Sequence, residues 1–376
     1  MNILLIGEFS RLHNSLKEGL LELGHHVVIC GLKDGFKDYP VDFPIYKKWD
    51  TGIRKKLKIA LYRLTSFDIS SWLTYRQFLK YNDKLRGFDL VQLINENSFY
   101  CQPNYEKKIL EHLFKNNTKT FLLSCGDDYA NVNFAFAHPE MKSPIKPYLD
   151  GKIKPNDFVS VLKYKREDFR DLHAFIYRNI SGVMASDLDY EPALTNHPKY
   201  LGLIPNPVNT NKIEFSPLTI NNKIVIFLGI NEQNYFKKGC DYFEKALEII
   251  EQKFRDQVKI VTVKSVPYAK YIKMYDSAHI VLDQVYAIDQ GYNALEAMAK
   301  GKVVFTGAEP EFMKRYALTE KVNINAVPNV ESLAEELSNL IQNPTEIIAI
   351  GKRARIFIES EHCYVDIAQK YVDTWK

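Results

Sequence analysis

The sequence contains little cysteine and no long apolar run. Its 376 residues include five cysteines, which are far apart and form no CxxC pair, so we expect neither a disulfide framework nor a zinc site. No apolar run approaches the roughly 18 residues of a membrane span, and the first residues lack the basic segment and cleavage site of a secretion signal. We therefore predict a cytoplasmic protein that meets membranes only at their surface.

Two common phosphate-binding patterns are also absent. The first strand-to-helix loop holds one glycine and no GxGxxG, which argues against a nicotinamide or flavin site, and GxxxxGK[ST] does not occur, which argues against P-loop chemistry. A long basic surface is missing as well, because the formal net charge is only +4 and seven basic side chains with one acidic residue are concentrated in residues 47–64. This distribution favours one local anionic partner over nucleic acid.

Length and periodicity predict two α/β domains. Apolar residues make up 46% and charged residues 26% of the chain, as in globular proteins, and the length exceeds what a single domain usually contains. Short apolar runs alternate with helical patterns in both halves, which is typical of parallel sheets. The predicted strands are residues 2–6, 27–30, 90–94, 120–124, 182–186, 223–228, 258–263, 280–282, 303–306 and 322–327.

The segment 290–304, QGYNALEAMAKGKVV, is the most informative for function. A glycine at a loop-to-helix junction leaves backbone N–H groups free at a helix N-terminus, where the helix dipole favours a phosphate. The amides of Gly291, Tyr292 and Asn293 could hold a diphosphate, and Glu296, one turn later, could accept hydrogen bonds from ribose hydroxyls. The same residues also fit an ordinary amphipathic helix that ends at a glycine before a strand.

Three segments of the second half resemble the motifs of GT-B glycosyltransferases of family 4. GYNALEAMAKGKVV resembles the donor-site helix EGFGxxxLEAMAxGxPV, IPNPVN at 204–209 resembles the linker IPNGVD, and Phe227-Leu228-Gly229 with Lys238-Gly239 resembles the donor loop FVGR…KG. The resemblance implies the GT-B fold, in which two facing Rossmann-like domains with parallel sheets enclose a cleft. We place these domains at residues 1–205 and 206–355, with a C-terminal helix, 356–376, that returns to the first domain.

The resemblance implies an enzyme that moves a sugar from a UDP or GDP donor to a glycan or lipid-linked acceptor, with retention at the anomeric carbon and without a cofactor or an obligatory metal. Two positions depart from the family pattern: Ile230 replaces an arginine, and Ile288 replaces a glutamate for which the neighbouring Asp289 could substitute. An epimerase of GT-B shape and a non-catalytic two-domain binding protein are the alternatives. The donor residues assigned in this way are Gly229, Lys237, Lys238, Asp289, Gly291, Tyr292, Asn293 and Glu296.

Candidate catalytic residues lie in the first half. Asp127 and Asp128 follow the predicted strand 120–124, and α/β sheets bind ligands at the carboxyl ends of their strands, although an aspartate there could also serve as a helix cap. Glu8, His13 and Asn14 lie in the first strand-to-helix loop, which should face the same cleft, and Asn14 also suits a helix cap.

Two further segments have competing interpretations. Asp187-Leu188-Asp189 resembles the DxD metal motif of the GT-A fold, but its position before the linker predicts a surface turn that is remote from the donor helix and binds no metal. Residues 51–64 place apolar side chains on one helical stripe among basic ones, which is typical of a helix in a membrane interface and equally of a helix that covers a core. Since many GT-B enzymes dock on anionic membranes, we predict a peripheral membrane contact through residues 47–64.

Overall fold

The computed structural model describes residues 1–32, 39–264 and 268–376, and these form two α/β domains. The first contains a seven-stranded parallel sheet in the order β3-β2-β1-β4-β5-β6-β7. Its central strands are buried on both faces, as in parallel sheets covered by helices. The strands are β1 Asn2–Ile6, β2 His26–Leu32, β3 Phe43–Ile45, β4 Leu90–Leu93, β5 Lys119–Ser124, β6 Gly182–Ala185 and β7 Tyr200–Leu203.

Eight α-helices in the described part of the first half connect or cover these strands. They are α1 Leu12–Glu22, α2 Gly52–Thr65, α3 Ile69–Leu79, α4 Pro103–Asn116, α5 Tyr129–Ala137, α6 Lys146–Leu149, α7 Val159–Leu162 and α8 Glu167–Asn179. Short 3₁₀ helices occupy Asn82–Lys84, Pro155–Asp157 and Lys163–Lys165. The α3 helix begins where the Asp68 side chain accepts a hydrogen bond from the Ser71 amide.

The second domain is a five-stranded parallel sheet in the order β12-β11-β10-β8-β9. Its strands are β8 Ile224–Ile230, β9 Val258–Lys264, β10 Ile280–Leu282, β11 Val303–Thr306 and β12 Ile324–Asn325. Its helices are α9 Tyr235–Lys238, α10 Cys240–Phe254, α11 Tyr268–Asp276, α12 Tyr292–Ala299, α13 Pro310–Arg315, α14 Val330–Gln342 and α15 Pro344–Glu361, with 3₁₀ helices at Thr210–Lys212 and Glu232–Asn234.

The last helix, α16 (Tyr364–Trp375), packs on α1 of the first domain. Its residues Tyr371 and Trp375 are buried in one apolar cluster with Leu16 and Leu20 of α1, and the Trp375 indole N–H donates to Gln92 Oε1 of β4 at 2.9 Å. The chain therefore crosses between the domains twice. The crossings lie side by side, because the Val208 amide donates to the His362 carbonyl at 2.8 Å.

The basic helix α2 stands apart from the core. None of its side chains is buried, and Ile53 and Leu64 of its apolar stripe are 76% and 85% exposed. The interpretation in which this helix covers the first domain's core is therefore wrong. No helix in the described ranges is both long and apolar enough to cross a membrane.

Candidate functional site

The loops after β5 and β6 of the first domain face the loops after β8 and β10 of the second. The loops after β5, β6 and β10 contribute to the lining of a cavity of ≈ 180 Å³, which includes Asp127, Asp189, Ile288 and Gly291. In α/β domains ligands bind at the carboxyl ends of the strands, and both sheets present that end to this cleft. The cleft is therefore the candidate site.

Asp127 and Lys237, which the sequence placed in different halves of the predicted site, meet across the cleft. The Lys237 ammonium donates to Asp127 Oδ2 at 2.9 Å, and both side chains remain partly exposed. Asp127 follows Gly126, whose φ of 84° is a conformation that glycine adopts without strain, and this turn directs the chain out of β5. A carboxylate of the first domain and a cation of the predicted donor loop thus form one ion pair.

Asp128 is fully buried and caps α5. Its Oδ1 accepts the Asn131 amide at 2.7 Å, and its Oδ2 accepts the Ser124 hydroxyl at 2.6 Å. Burial, together with the nearby Glu96 carboxylate, raises the pKa of Asp128 to about 7. These contacts give Asp128 the helix-cap role that was the alternative to catalysis, so Asp127 is the better catalytic candidate of the two.

Glu8, His13 and Asn14 form a buried network that shapes the first loop. Glu8 Oε2 accepts the Asn14 amide at 2.8 Å and its side-chain Nδ2 at 2.6 Å, while His13 Nδ1 donates to the Gly7 carbonyl at 2.8 Å. Burial lowers the pKa of His13 to about 4, so the ring is neutral at pH 7. The prediction that Asn14 is the helix cap is wrong, because α1 already begins at Leu12 and Glu8 supplies the capping oxygen.

Lys238 and Asn293, two predicted donor residues, are held by one carboxylate. Asp283 Oδ1 accepts the Lys238 ammonium at 2.8 Å and the Asn293 amide Nδ2 at 3.1 Å. Burial alone would lower the pKa of Lys238, but the Asp283 carboxylate outweighs it and raises that pKa above its ordinary value. Asp283 was not identified from the sequence, although its place directly after the β10 strand was a signal for it.

The predicted donor helix α12 is also a contact between the domains. The Tyr292 hydroxyl donates to the Pro207 carbonyl of the linker at 2.8 Å, and it therefore accepts from Ser15 Oγ of α1 at 2.5 Å. The Tyr292 side chain is thus engaged, and its backbone amide is the group that remains for a donor phosphate. Glu296, one turn further along, is half-buried.

The prediction that Asp187-Leu188-Asp189 is a surface turn remote from the donor helix is wrong. Asp187 and Leu188 are buried and Asp189 is half-buried, and the turn contacts the loop that leads into α12. Asp189 Oδ1 accepts the Ile288 amide at 2.8 Å, and the Leu188 amide donates to Asp289 Oδ2 at 3.3 Å, so each domain's carboxylate binds the other's backbone. Burial raises the pKa of Asp189 to about 7 and that of Asp289 to about 6.

Asp289, which the sequence assigned to the donor, is held at the boundary between the domains. Asp289 Oδ1 accepts the Gln290 amide at 2.7 Å, so both oxygens of the carboxylate assigned to the donor are engaged at the domain boundary. In the described ranges, no group of three or more His, Cys, Asp or Glu residues is arranged to hold a metal ion.

A second, larger cavity of ≈ 490 Å³ lies beside Lys237. It is formed by residues 152–160 of the first half and by the loop and helix that follow β8, and four lysines line it. Two further ion pairs fasten this part of the first half to the second domain: Lys142 to Glu309 at 2.6 Å and Lys152 to Asp241 at 2.7 Å. Lys142 and Lys152 were not identified from the sequence.

Comparison with known proteins agrees with this geometry. Residues 236–373 match a family model described as glycosyl transferase-like, while no curated protein sequence matches the chain. Sucrose-phosphate synthase from Thermosynechococcus elongatus superimposes with a TM-score of 0.64 at 14% identity, over 100% of this chain and 98% of that one. HepE of Anabaena in complex with UDP and glucose gives 0.58 at 14% identity, over 100% and 99%. TarM of S. aureus gives 0.52 at 15% identity, over 81% and 59%.

Proposed function

We propose that this chain is a glycosyltransferase that moves a sugar from a UDP donor to a hydroxyl of a glycan or lipid-linked acceptor. The match of residues 236–373 to a family model described as glycosyl transferase-like supports the proposal, as does the GT-B fold of the whole chain. The observation that carries this proposal is the ion pair between Asp127 and Lys237, at 2.9 Å across the cleft. UDP is chosen because HepE has been solved with UDP and with UDP-glucose, and TarM with UDP.

In this proposal the second domain binds the donor. The first amides of α12, which begins after Gly291, have no acceptor within the helix and face the diphosphate, whose charge the Lys237 and Lys238 ammonium groups neutralise as the sugar departs. Gly229 lets the backbone approach the donor closely. Glu296 accepts hydrogen bonds from the ribose hydroxyls.

The first domain acts on the acceptor. When the diphosphate attracts Lys237, the Asp127 carboxylate becomes available to orient the acceptor hydroxyl and to stabilise positive charge that develops on the donor sugar, interactions that strengthen in the transition state. The proposal includes retention at the anomeric carbon and no required metal or other cofactor.

A thermal-shift series on the full chain tests the donor. A ligand that binds the folded state at 100 times its Kd adds about 2.7 kcal/mol to the free energy of unfolding, so UDP and UDP-glucose should raise the Tm while uridine should not. GDP is tested in parallel, and a smaller rise in Tm with GDP than with UDP would identify UDP as the donor nucleotide. If no nucleoside diphosphate shifts the Tm, or if a UDP-sugar is converted to its epimer without an acceptor, the proposal is wrong.

We propose in addition that α2 docks on an anionic membrane surface. Its stripe residues Ile53, Leu57 and Leu64 are 76%, 54% and 85% exposed, and Arg54, Lys55 and Lys56 beside them are exposed as well. A basic helix with unpartnered apolar side chains is attracted to anionic lipids by about 1 kcal/mol for each basic residue. Docking would place the cleft near a lipid-linked acceptor.

Vesicle sedimentation tests this contact. The wild type should bind vesicles that contain phosphatidylglycerol at low salt and not neutral vesicles, and K55E/K56E/K58E should abolish that binding. A matched variant, K253E/K314E/K352E, changes three exposed lysines of the second domain and should still bind. Equal binding by both variants, or none by the wild type, would exclude α2 as the docking helix.

A further inference from the structure

Lys163 is a half-buried cation in the first domain that the proposed chemistry does not use. Its ammonium lies 4.7 Å from the ring centroid of Tyr164, 5.3 Å from that of Phe169 and 5.6 Å from that of Tyr100. In the described part of the chain it has no ion pair and no hydrogen bond. The three rings attract the ammonium but give it no hydrogen-bond acceptor, and a partly desolvated ammonium in that position can bind an anion from outside the protein.

The Asp127 carboxylate, the proposed catalytic group, acts electrostatically on Lys163. Burial lowers the pKa of Lys163 to about 8, against the opposing influence of the Glu106 and Asp127 carboxylates. Lys47 and Arg166 add positive charge and lower that pKa further. Glu106 uses both carboxylate oxygens to accept the backbone amides of Phe99 and Cys101, at 3.0 and 3.1 Å. Lys163 is therefore a second positive charge that acts on Asp127, in addition to Lys237.

Tyr100, next to Lys163, is held in an unusual conformation. Its φ is 50°, which is uncommon and strained for a residue with a side chain, and the residue is 49% exposed. The ring lies 5.6 Å from that of Phe9 at an interplanar angle of 30°, and the Lys47 ammonium donates to the Tyr100 carbonyl at 2.7 Å. Phe9 and Tyr100 follow β1 and β4, so this aromatic surface stands at the ligand-binding edge of the sheet.

We infer that Lys163, Tyr100 and Phe9 form a subsite for an acceptor sugar that carries an anionic group, either a phosphate or a carboxylate. The two rings contact the apolar face of the sugar, and the Lys163 ammonium binds the anion. The acceptor hydroxyl then lies near Asp127. This inference rests on the proposed function, because it assumes that the first domain binds the acceptor.

Calorimetry on the full chain with saturating UDP tests the subsite. Glucose 6-phosphate, glucuronate and glucose serve as phosphate, carboxylate and neutral probes, and at least one anionic probe should bind more tightly than glucose. K163M, which keeps the length and removes the charge, should weaken that probe at least tenfold, and K163R should restore most of the affinity. The probe that responds identifies the anionic group.

Lys165 provides the matched control, since it lies on the same 3₁₀ helix but donates to Asn133 Oδ1 at 2.9 Å. K165M should bind all three probes like the wild type. If the anionic probes bind no better than glucose, or bind equally to K163M, the subsite does not exist. UDP affinity is measured first in each titration. Failure to bind UDP would contradict the proposed function, whereas failure to bind the anionic probes in the presence of UDP would contradict only the subsite.

The pH dependence distinguishes Lys163 from ordinary lysines. A phosphate monoester is dianionic above pH 7, and the lowered pKa of Lys163, about 8, means that its ammonium loses its proton between pH 7 and 9. Affinity for the phosphate probe should therefore fall about tenfold over that range in the wild type and stay level in K163R, because arginine remains charged. A level profile in the wild type would contradict the assignment to Lys163.

Discussion

The two domains build their sides of the cleft in different ways. In the second domain the proposed donor groups come from two short continuous segments, residues 229–238 and 289–296, each at the end of a strand or the start of a helix. In the first domain Phe9, Tyr100, Asp127 and Lys163 come from four separate segments that only the fold brings together. A site of the first kind can be identified from local sequence, whereas a site of the second kind depends on tertiary packing.

The largest expected effect tests whether the first domain supplies chemistry. Asp127→Asn keeps the shape of the side chain and removes its charge, so kcat should fall about 10²-fold or more while UDP affinity stays nearly unchanged. Steady-state kinetics and calorimetry measure the two quantities. Asp157→Asn, at an exposed position in the lining of the larger cavity, is the control and should leave kcat unchanged. Near wild-type kcat in Asp127→Asn would remove the catalytic role.

The next effect tests the second domain as the donor site. Glu296→Ala should weaken UDP binding by roughly 1.5–3 kcal/mol, about 10- to 150-fold in Kd, because hydrogen bonds to a carboxylate are lost. Calorimetry measures the change, and Glu335→Ala at an exposed position of α14 should leave the Kd unaltered. An unchanged Kd in Glu296→Ala would show that the ribose lies elsewhere.

A smaller effect separates Asp128 from its neighbour. Asp128→Ala should lower the free energy of unfolding by about 1 kcal/mol, through loss of the cap on α5, without altering UDP affinity. Urea denaturation measures this loss, and Asp128→Asn, which still can cap, should largely avoid it. Loss of kcat with unchanged stability in Asp128→Asn would instead assign the catalytic role to Asp128.

The loss of stability in Asp128→Ala should also depend on pH. Burial raises the pKa of Asp128 to about 7, so between the ordinary aspartate value and pH 7 the folded state holds a proton that the unfolded state has released. Lowering the pH from 8 to 5.5 should therefore increase the free energy of unfolding of the wild type more than that of Asp128→Ala. The difference in stability should be larger at pH 5.5 than at pH 8, and a difference that grows with pH would contradict the assignment.

The last prediction is that a chelator has no effect on sugar transfer. Excess EDTA should leave sugar transfer unchanged, because the Asp189 and Asp289 carboxylates already accept backbone amides and the Lys238 ammonium supplies the charge that stabilises a diphosphate. Activity assays with and without the chelator measure this. Loss of activity that Mn²⁺ restores would assign a metal to the boundary between the domains.

Much of the fold could be predicted from apolar periodicity, because long buried strands leave continuous apolar runs. The two strands missed, β3 and β7, are short edge strands whose residues are largely half-exposed, and β3 contains Pro44. Such strands carry little apolar signal. The predicted final strand, 322–327, was also longer than the two residues of β12.

The site was less predictable, because its geometry depends on contacts between distant residues. Nothing in the local sequence of Asp189 indicates that it reaches the Ile288 amide, 99 residues away, and this turn was wrongly expected to be remote from the donor helix. Asp127 and Asp128 are neighbours of the same residue type, yet one is partly exposed in the cleft and the other is fully buried under α5. That difference arises from packing, which no single-residue pattern records.

The return of α16 to the first domain has a consequence for synthesis. Domains usually fold in order as the chain leaves the ribosome. Here α1 packs on α16, whose Tyr371 and Trp375 share its apolar cluster and are translated after the entire second domain. The surface of α1 that packs on α16 therefore stays open to solvent in the nascent first domain until α16 emerges, and chaperones that recognise apolar surface could bind it during that interval.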